Sequence, residues 1–307
     1  MRPLRGIALK LASVIVFIVM SAMIKSTSDH VPGGQAVFFR SFFAIPVIVV
    51  WLALRRELRT GFTTADPLGH VWRGFAGTMA MGLGFSALAY LPFPEVTAIG
   101  YAAPLLTVIF AAMFLNEKVG LFRIATVFLG LIGVLIVVSP RLSVLQGGDT
   151  GHTQAFGATL VLCSALFAAL AQVFVRKMVA TEKTATIVFW FSFTASVLSL
   201  FTIPFGWVVP TLRETLTLIG AGLLGGLGQI LLTSAYREAD ASLVAPFDYA
   251  SMLFALAIGW FVFAEMPTWT MLLGAGIVIL AGILIIWRER KLGIARARQR
   301  KSMTPNG

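Results

Sequence analysis

Polar side chains are scarce in this chain, and a few fall inside apolar runs, where they must act or be compensated. Arg40 is one. A guanidinium placed among Phe38, Phe39 and Phe42 costs about 2.5–3.5 kcal/mol at the centre of a membrane helix, so it faces a cavity or snorkels to the headgroups. In a cavity it holds an anionic or carbonyl oxygen through paired hydrogen bonds. Asp248 follows Pro246, which frees a backbone carbonyl. It is read either as a proton carrier at depth or as a carboxylate hydrogen-bonded to the adjoining loop. Tyr101 and Tyr249 each offer an aromatic face and a polar tip for an amphipathic solute, or belong to an interfacial belt. Gln172 and Gln229 are amides within apolar runs that bind solute or bridge helices. Trp190, beside Phe189 and Phe191, packs or stacks on a planar ring. These seven residues are the candidate solute-binding set.

Other chemistry finds no residues to carry it. His30, His70 and His152 have no ligand spacing around them, and no HExxH occurs, so no metal site and no catalytic residues are expected. No GxxxxGK[ST] loop is present, so nucleotide drive is not expected. No cofactor is expected. The single Cys163 cannot form an internal disulfide.

The elements that position these residues are long apolar runs. The chain has 307 residues, 58% hydrophobic and 12% charged, with a mean hydropathy of +0.90, whereas soluble domains carry about 25% charged residues. Ten segments reach the roughly 20 residues that cross a bilayer core: 6–24, 35–54, 72–91, 95–115, 122–139, 155–175, 184–203, 216–236, 241–264 and 268–287. Continuous apolar runs of that length are helices, because barrel strands alternate and are about half as long. The sequence thus predicts an all-α polytopic membrane protein.

The segments form two related halves. Val96, Tyr101, Ala102, Leu105 and Glu117 recur 148 residues later as Val244, Tyr249, Ala250, Leu253 and Glu265. Phe38, Ser41 and Phe42 recur 151 residues later as Phe189, Ser192 and Phe193. The predicted organisation is a first five-helix repeat at 1–139, a periplasmic linker at 140–154, a second repeat at 155–287 and a basic cytoplasmic tail at 288–307. With the N-terminus in the cytoplasm, 20 of the 24 Lys and Arg residues fall on the cytoplasmic side, as the positive-inside rule requires. The net charge of +11 follows from that rule, so no nucleic-acid partner is expected; the partners are the lipid bilayer and a small-molecule solute. Five spans per half is odd, so the second half inserts upside down with both termini cytoplasmic. Glu117 and Glu265 end their spans and are read as carboxylates that lock helix ends or loops. Lys25 and Glu95 lie toward the outer face. Glycines crowd the third span (Gly74, Gly77, Gly82, Gly84) and the eighth (Gly220 to Gly228), where small residues let helices approach closely.

The stretches "AYLPFPEVTAIGYAAPLL" and "AYREADASLVAPFDYASML", ending equivalent halves of a ten-span chain, resemble the drug/metabolite transporter superfamily and specifically its EamA type. The overall run of the chain is most similar to a bacterial riboflavin-uptake branch, on whole-sequence similarity and not on any flavin-specific residues. The resemblance implies a multi-pass protein of the bacterial inner membrane. It implies secondary transport of a small organic metabolite by alternating access, with no enzyme activity. Riboflavin uptake is the leading expectation, and export of amino acids or other small metabolites is the alternative. A membrane enzyme would need clustered acids or metal ligands, and a channel a selectivity filter; neither pattern occurs.

Overall fold

The computed structural model describes residues 3–114, 121–142, 149–179, 181–238, 248 and 250–303. Among these the regular structure is helical, without strands. The chain is a multi-pass membrane protein. Leu4–Lys25, Gly33–Leu54, His152–Val175 and Leu212–Ala235 are each long and apolar enough to cross a bilayer. Large apolar side chains such as Phe75, Phe128, Leu135, Phe193, Leu253 and Leu273 stand exposed on the outside of the bundle, which suits lipid and not water.

Helix α1 is Pro3–Lys25. The second predicted span is two helices, α2 (Gly33–Phe42) and α3 (Ala44–Leu54). The fourth is also two, α6 (Phe93–Gly100) and α7 (Ala102–Phe114). The apolar pattern reads as continuous across both breaks. The breaks fall at Phe43 and Tyr101, three residues before Pro46 and Pro104, where a proline removes a helical N–H and its ring crowds the preceding turn. A short α4 (Leu58–Gly61) precedes α5 (Pro67–Ala87).

The third span was expected at 72–91 and begins instead at Pro67. Asp66 caps it by accepting from Gly69 N, with Pro67 in the first turn, a strong start signal that outweighs the polar composition of the first turn. The remaining helices are α8 (Leu121–Leu142), α9 (Asp149–Met178), α10 (Thr184–Leu200), α11 (Leu212–Glu238), α12 (Ala250–Phe263) and α13 (Trp269–Met303). Of the predicted linker, 140–142 and 149–154 are helical and 143–148 lie outside the described residues. The basic tail continues α13 as helix through Met303, in keeping with its helix-favouring Arg, Lys, Ala and Gln content. Glu117 lies outside the described residues.

Several packed pairs join a helix before residue 143 to one after residue 148. The following run antiparallel. On α1 and α11, Met23 meets Gly220 and Phe17 meets Gly228. On α5 and α9, Gly84 meets Ser164 and Phe75 meets Phe167. Along α2–α3 and α10, Gly34 meets Thr202, Arg40 meets Phe191, and Ile48 and Leu52 pack with Ala185 and Val188. Between α6 and α12, Phe93 meets Phe263 and Tyr101 meets Ser251. Between α8 and α13, Gly133 meets Val278 and Val137 meets Gly274. The bend between α2 and α3 fits against α11 because Gly222 has no side chain where Phe43 packs.

Candidate functional site

Two arginines are buried at the meeting of α2, α5, α10 and α11. Arg40 is 2% exposed and Arg73 is 7% exposed. Both guanidiniums stand over one ring, Phe191 of α10: Arg40 Cζ is 5.3 Å and Arg73 Cζ 3.9 Å from its centroid. Nε and Nη1 of each have no hydrogen-bond partner among the described residues. Local structure explains the placement. Arg40 lies in the last turn of α2, where the helix dipole favours a cation, and its side chain lies along Gly225 of α11. Arg73 is six residues into α5, about 9 Å along the helix axis.

Magnitudes decide what the pair needs. An uncompensated buried charge costs about 3–5 kcal/mol, and a guanidinium is not deprotonated at any ordinary pH. A cation–π contact returns about 0.5–2 kcal/mol. One phenyl ring does not balance two adjacent cations.

Arg73 also lines a small cavity of about 60 Å³, together with Gln172 of α9, Gln229 and Thr233 of α11, and the apolar Ile187 and Val188 of α10. The structure therefore brings together three sequence candidates, Arg40, Gln172 and Gln229, and adds Arg73 and Phe191. Arg73 counts in the sequence among the cytoplasmic-side basic residues, at the very start of the span expected at 72–91. The Asp66-Pro67 helix start was the signal that places it two turns deep.

The other candidates lie elsewhere. Trp190 donates from Nε1 to Phe62 O at 3.1 Å and packs with Phe189, Phe193 and His70, so its indole ties α10 to the segment after α4. Tyr101 is buried at the α6–α7 break, 2.8 Å from Ser251 Oγ. Ser251 Oγ donates to Asp248 O at 2.6 Å, so the tyrosine hydroxyl is the donor to the serine. Asp248 Oδ1 is 2.7 Å from Nζ of the buried Lys10. Tyr249 lies outside the described residues.

Polar contacts also tie the loops at both faces. At the face where α1 begins and α11 ends, Arg5 pairs with Glu238 at 3.3 Å. They border a cleft of about 400 Å³ that also carries Arg55, Lys183 and Arg237. On the same face Glu182, between α9 and α10, accepts from Thr64 Oγ1 at 2.7 Å, Ala65 N at 2.8 Å and Asp66 N at 3.3 Å. Arg237 donates to the Glu182 carbonyl. Burial alone would raise the Glu182 carboxyl; these donors, with His70 nearby, outweigh it and hold the carboxyl below its ordinary range. At the opposite face Glu265 accepts from Phe93 N at 2.7 Å, and His30 meets Glu214 at 3.1 Å. Among the described residues no cluster of His, Cys, Asp and Glu is arranged to hold a metal ion.

The sequence profile of the EamA-like transporter family matches residues 4–139 and again 155–287. The chain belongs to this family. It is 30% identical over 290 residues to the pseudopaline exporter CntI of Pseudomonas aeruginosa, covering 93% of this chain and 97% of that one. It is 27% identical over 288 residues to an S-adenosylmethionine uptake transporter of Rickettsia bellii, covering 93% and 94%. A riboflavin transporter of Vibrio cholerae is 28% identical over 298 residues, covering 94% and 95%. A solved crystal structure shares the fold at a TM-score of 0.67 and 18% identity, covering 94% of this chain and 98% of that one. The relatives' names span import and export and chemically unlike cargoes, so family membership leaves the solute open.

Proposed function

We propose that the chain is a secondary transporter that carries a small organic metabolite across the bacterial inner membrane by alternating access. In this reading residues 1–139 and 155–287 are inverted five-helix repeats with both termini in the cytoplasm, and the halves rock about a central site. The antiparallel pairing of α2–α3 with α10, α6 with α12 and α8 with α13 supports the inversion, which is the architecture of many secondary transporters. The observation that carries the function is the buried Arg40–Phe191–Arg73 group beside the cavity of Gln172 and Gln229. Unpaired charge held at membrane depth marks a solute path, and this group sits where α2 and α5 of one half meet α10 and α11 of the other.

Riboflavin uptake is the first of two substrate readings. The whole-chain likeness to a riboflavin transporter supports it, and a flat heteroaromatic with carbonyl acceptors suits guanidiniums and amides. The second reading is export of amino acids or other small metabolites. The uncompensated pair of cations favours it, because such solutes carry carboxylates and riboflavin carries no net charge. The test is uptake of labelled riboflavin by a riboflavin auxotroph expressing the chain, with and without Arg40→Ala. Saturable uptake competed by unlabelled flavin supports import. No uptake above empty vector, with the chain correctly inserted, sinks the flavin assignment. Exporter screens with amino acids and metallophores then decide between the classes.

A further inference from the structure

We propose that the cargo bears an ionised oxyanion, a carboxylate or a phosphate, and that this group seats between Arg40 and Arg73. The proposal rests on the transporter reading above and narrows it to a solute class that excludes riboflavin and includes the carboxylate-bearing solutes of the second reading. Both guanidiniums are more than nine-tenths buried and turn unpartnered nitrogens toward the same small region around Phe191. Among the described residues no acid forms an ion pair with either guanidinium, and the acids that do pair are engaged elsewhere: Asp248 with Lys10, Glu265 with Lys25, Glu238 with Arg5, Glu214 with His30 and Glu182 with the segment before α5.

An anion from outside the chain supplies what those acids do not. The guanidinium fork matches a planar carboxylate or a phosphate face through two parallel N–H···O bonds. The cavity beside it sorts the rest of the cargo. Gln172 and Gln229 present neutral donors and acceptors, while Ile187, Val188 and Leu232 present apolar wall. At about 60 Å³ the cavity admits only the part of the cargo next to the anionic head, and its lining suits a neutral polar group beside an apolar surface. Gly77 and Gly225 complete the seat, since a methyl group at either position would press on Arg73 or Arg40.

The test uses the full chain, purified and in proteoliposomes, with probes matched except in charge. Glutarate and citrate are compared with glutaramide, and glycerol 2-phosphate is the phosphate arm. Carboxylates, the phosphate ester or both are expected to raise the Tm of the native chain while glutaramide does not, and the active arm names the oxyanion. Arg40→Gln and Arg73→Gln are expected to weaken that binding roughly ten- to a hundredfold, as loss of a charge-assisted pair does. Arg40→Lys, which keeps the charge without the fork, is expected to lose part of it.

A second readout needs no ligand. Arg40→Gln removes an uncompensated charge, so its unliganded Tm is expected to match or exceed that of the native chain. No shift with any anion in a monodisperse native preparation overturns the proposal, and so does a shift that survives in the Arg40→Gln, Arg73→Gln double variant. Saturable riboflavin transport that is indifferent to Arg40→Gln keeps the transporter and overturns the oxyanion seat. Anion binding lost in the variants, with no transport of any bound solute, keeps the seat and overturns the transporter.

Discussion

Lys25 at the end of α1 and Glu265 after α12 meet at 3.5 Å, with both side chains largely buried. Lys25 Nζ also donates to Leu88 O at 2.7 Å and Leu91 O at 3.0 Å, while Glu265 holds Phe93 N at 2.7 Å. Two side chains thus bind three segments: the end of α1, the turn between α5 and α6, and the end of α12. In alternating access a knot of this kind closes one face, and it must open for the solute to pass. We predict that Glu265→Ala strands Phe93 N–H and takes the counter-charge from an ammonium that keeps its bonds to Leu88 O and Leu91 O, at about 1–3 kcal/mol, and shifts the population toward opening on this face. Val96→Cys in a Cys163→Ser background reads it by labelling with a membrane-impermeant thiol reagent. Labelling is expected to rise several-fold when Glu265→Ala is added. Unchanged labelling would show that the knot is not a closure.

The opposite face has its own tie at Glu182, and its pH dependence has a definite sign. The carboxyl lies below its ordinary range in the folded chain. Its contribution is therefore full above the unfolded value of about pH 4.3 and is lost as pH falls through the lower folded value. Glu182→Gln keeps an amide oxygen that can accept from Thr64, Ala65 and Asp66, but it drops each bond from the charge-assisted range of about 1.5–3 kcal/mol to the neutral range of about 0.5–1.5 kcal/mol. We expect a lower Tm than the native chain at pH 7, with the gap shrinking as pH drops below about 4.3. A gap that is flat with pH would assign the loss to shape and not to charge.

Much of this was legible because membrane helices write themselves in long apolar runs. The recurrence of Tyr101 and Glu117 as Tyr249 and Glu265 is the sequence signal on which the reading of two halves rests. Arg40, Gln172 and Gln229 stood out for the same reason, as polar groups in apolar surroundings. Phe191 was passed over because a phenylalanine in an aromatic run looks like packing; only the two cations over its ring distinguish it. Arg73 was hidden by its position, since it lies where span ends and loops are hardest to separate. The breaks at Phe43 and Tyr101 followed from Pro46 and Pro104, signals that the hydropathy pattern overran.

Gly77 tests how tightly the Arg73–Phe191 stack is held. A methyl group there would collide with Arg73 Nη1 and the Phe191 ring. Gly82, one turn and a half along α5, has no neighbour within 4 Å of an added methyl. We predict that Gly77→Ala lowers stability by about 1–3 kcal/mol, as overpacking does, and abolishes transport. Gly82→Ala is expected to be neutral or stabilising by up to about 1 kcal/mol from helix propensity. Thermal unfolding of the two variants side by side checks this. Equal effects would mean that the stack tolerates displacement and that Gly77 is not there to admit it.

Lys10 and Asp248 decide between the two readings of that carboxylate. The 2.7 Å contact joins a lysine buried in α1 to an aspartate just before α12. Breaking a buried pair from one side costs about 3–5 kcal/mol, whereas replacing both partners with apolar or neutral groups is often close to neutral. Asp248 is partly exposed, so the lower end of that range applies. We predict that Asp248→Asn lowers Tm and slows transport, and that adding Lys10→Met restores most of both. A proton carrier behaves differently, because its carboxyl is needed in every cycle driven by a gradient. The double variant would then be stable yet fail to concentrate solute against an imposed pH gradient, while still exchanging it at equilibrium. The ion-pair geometry predicts that concentrative transport by the double variant survives.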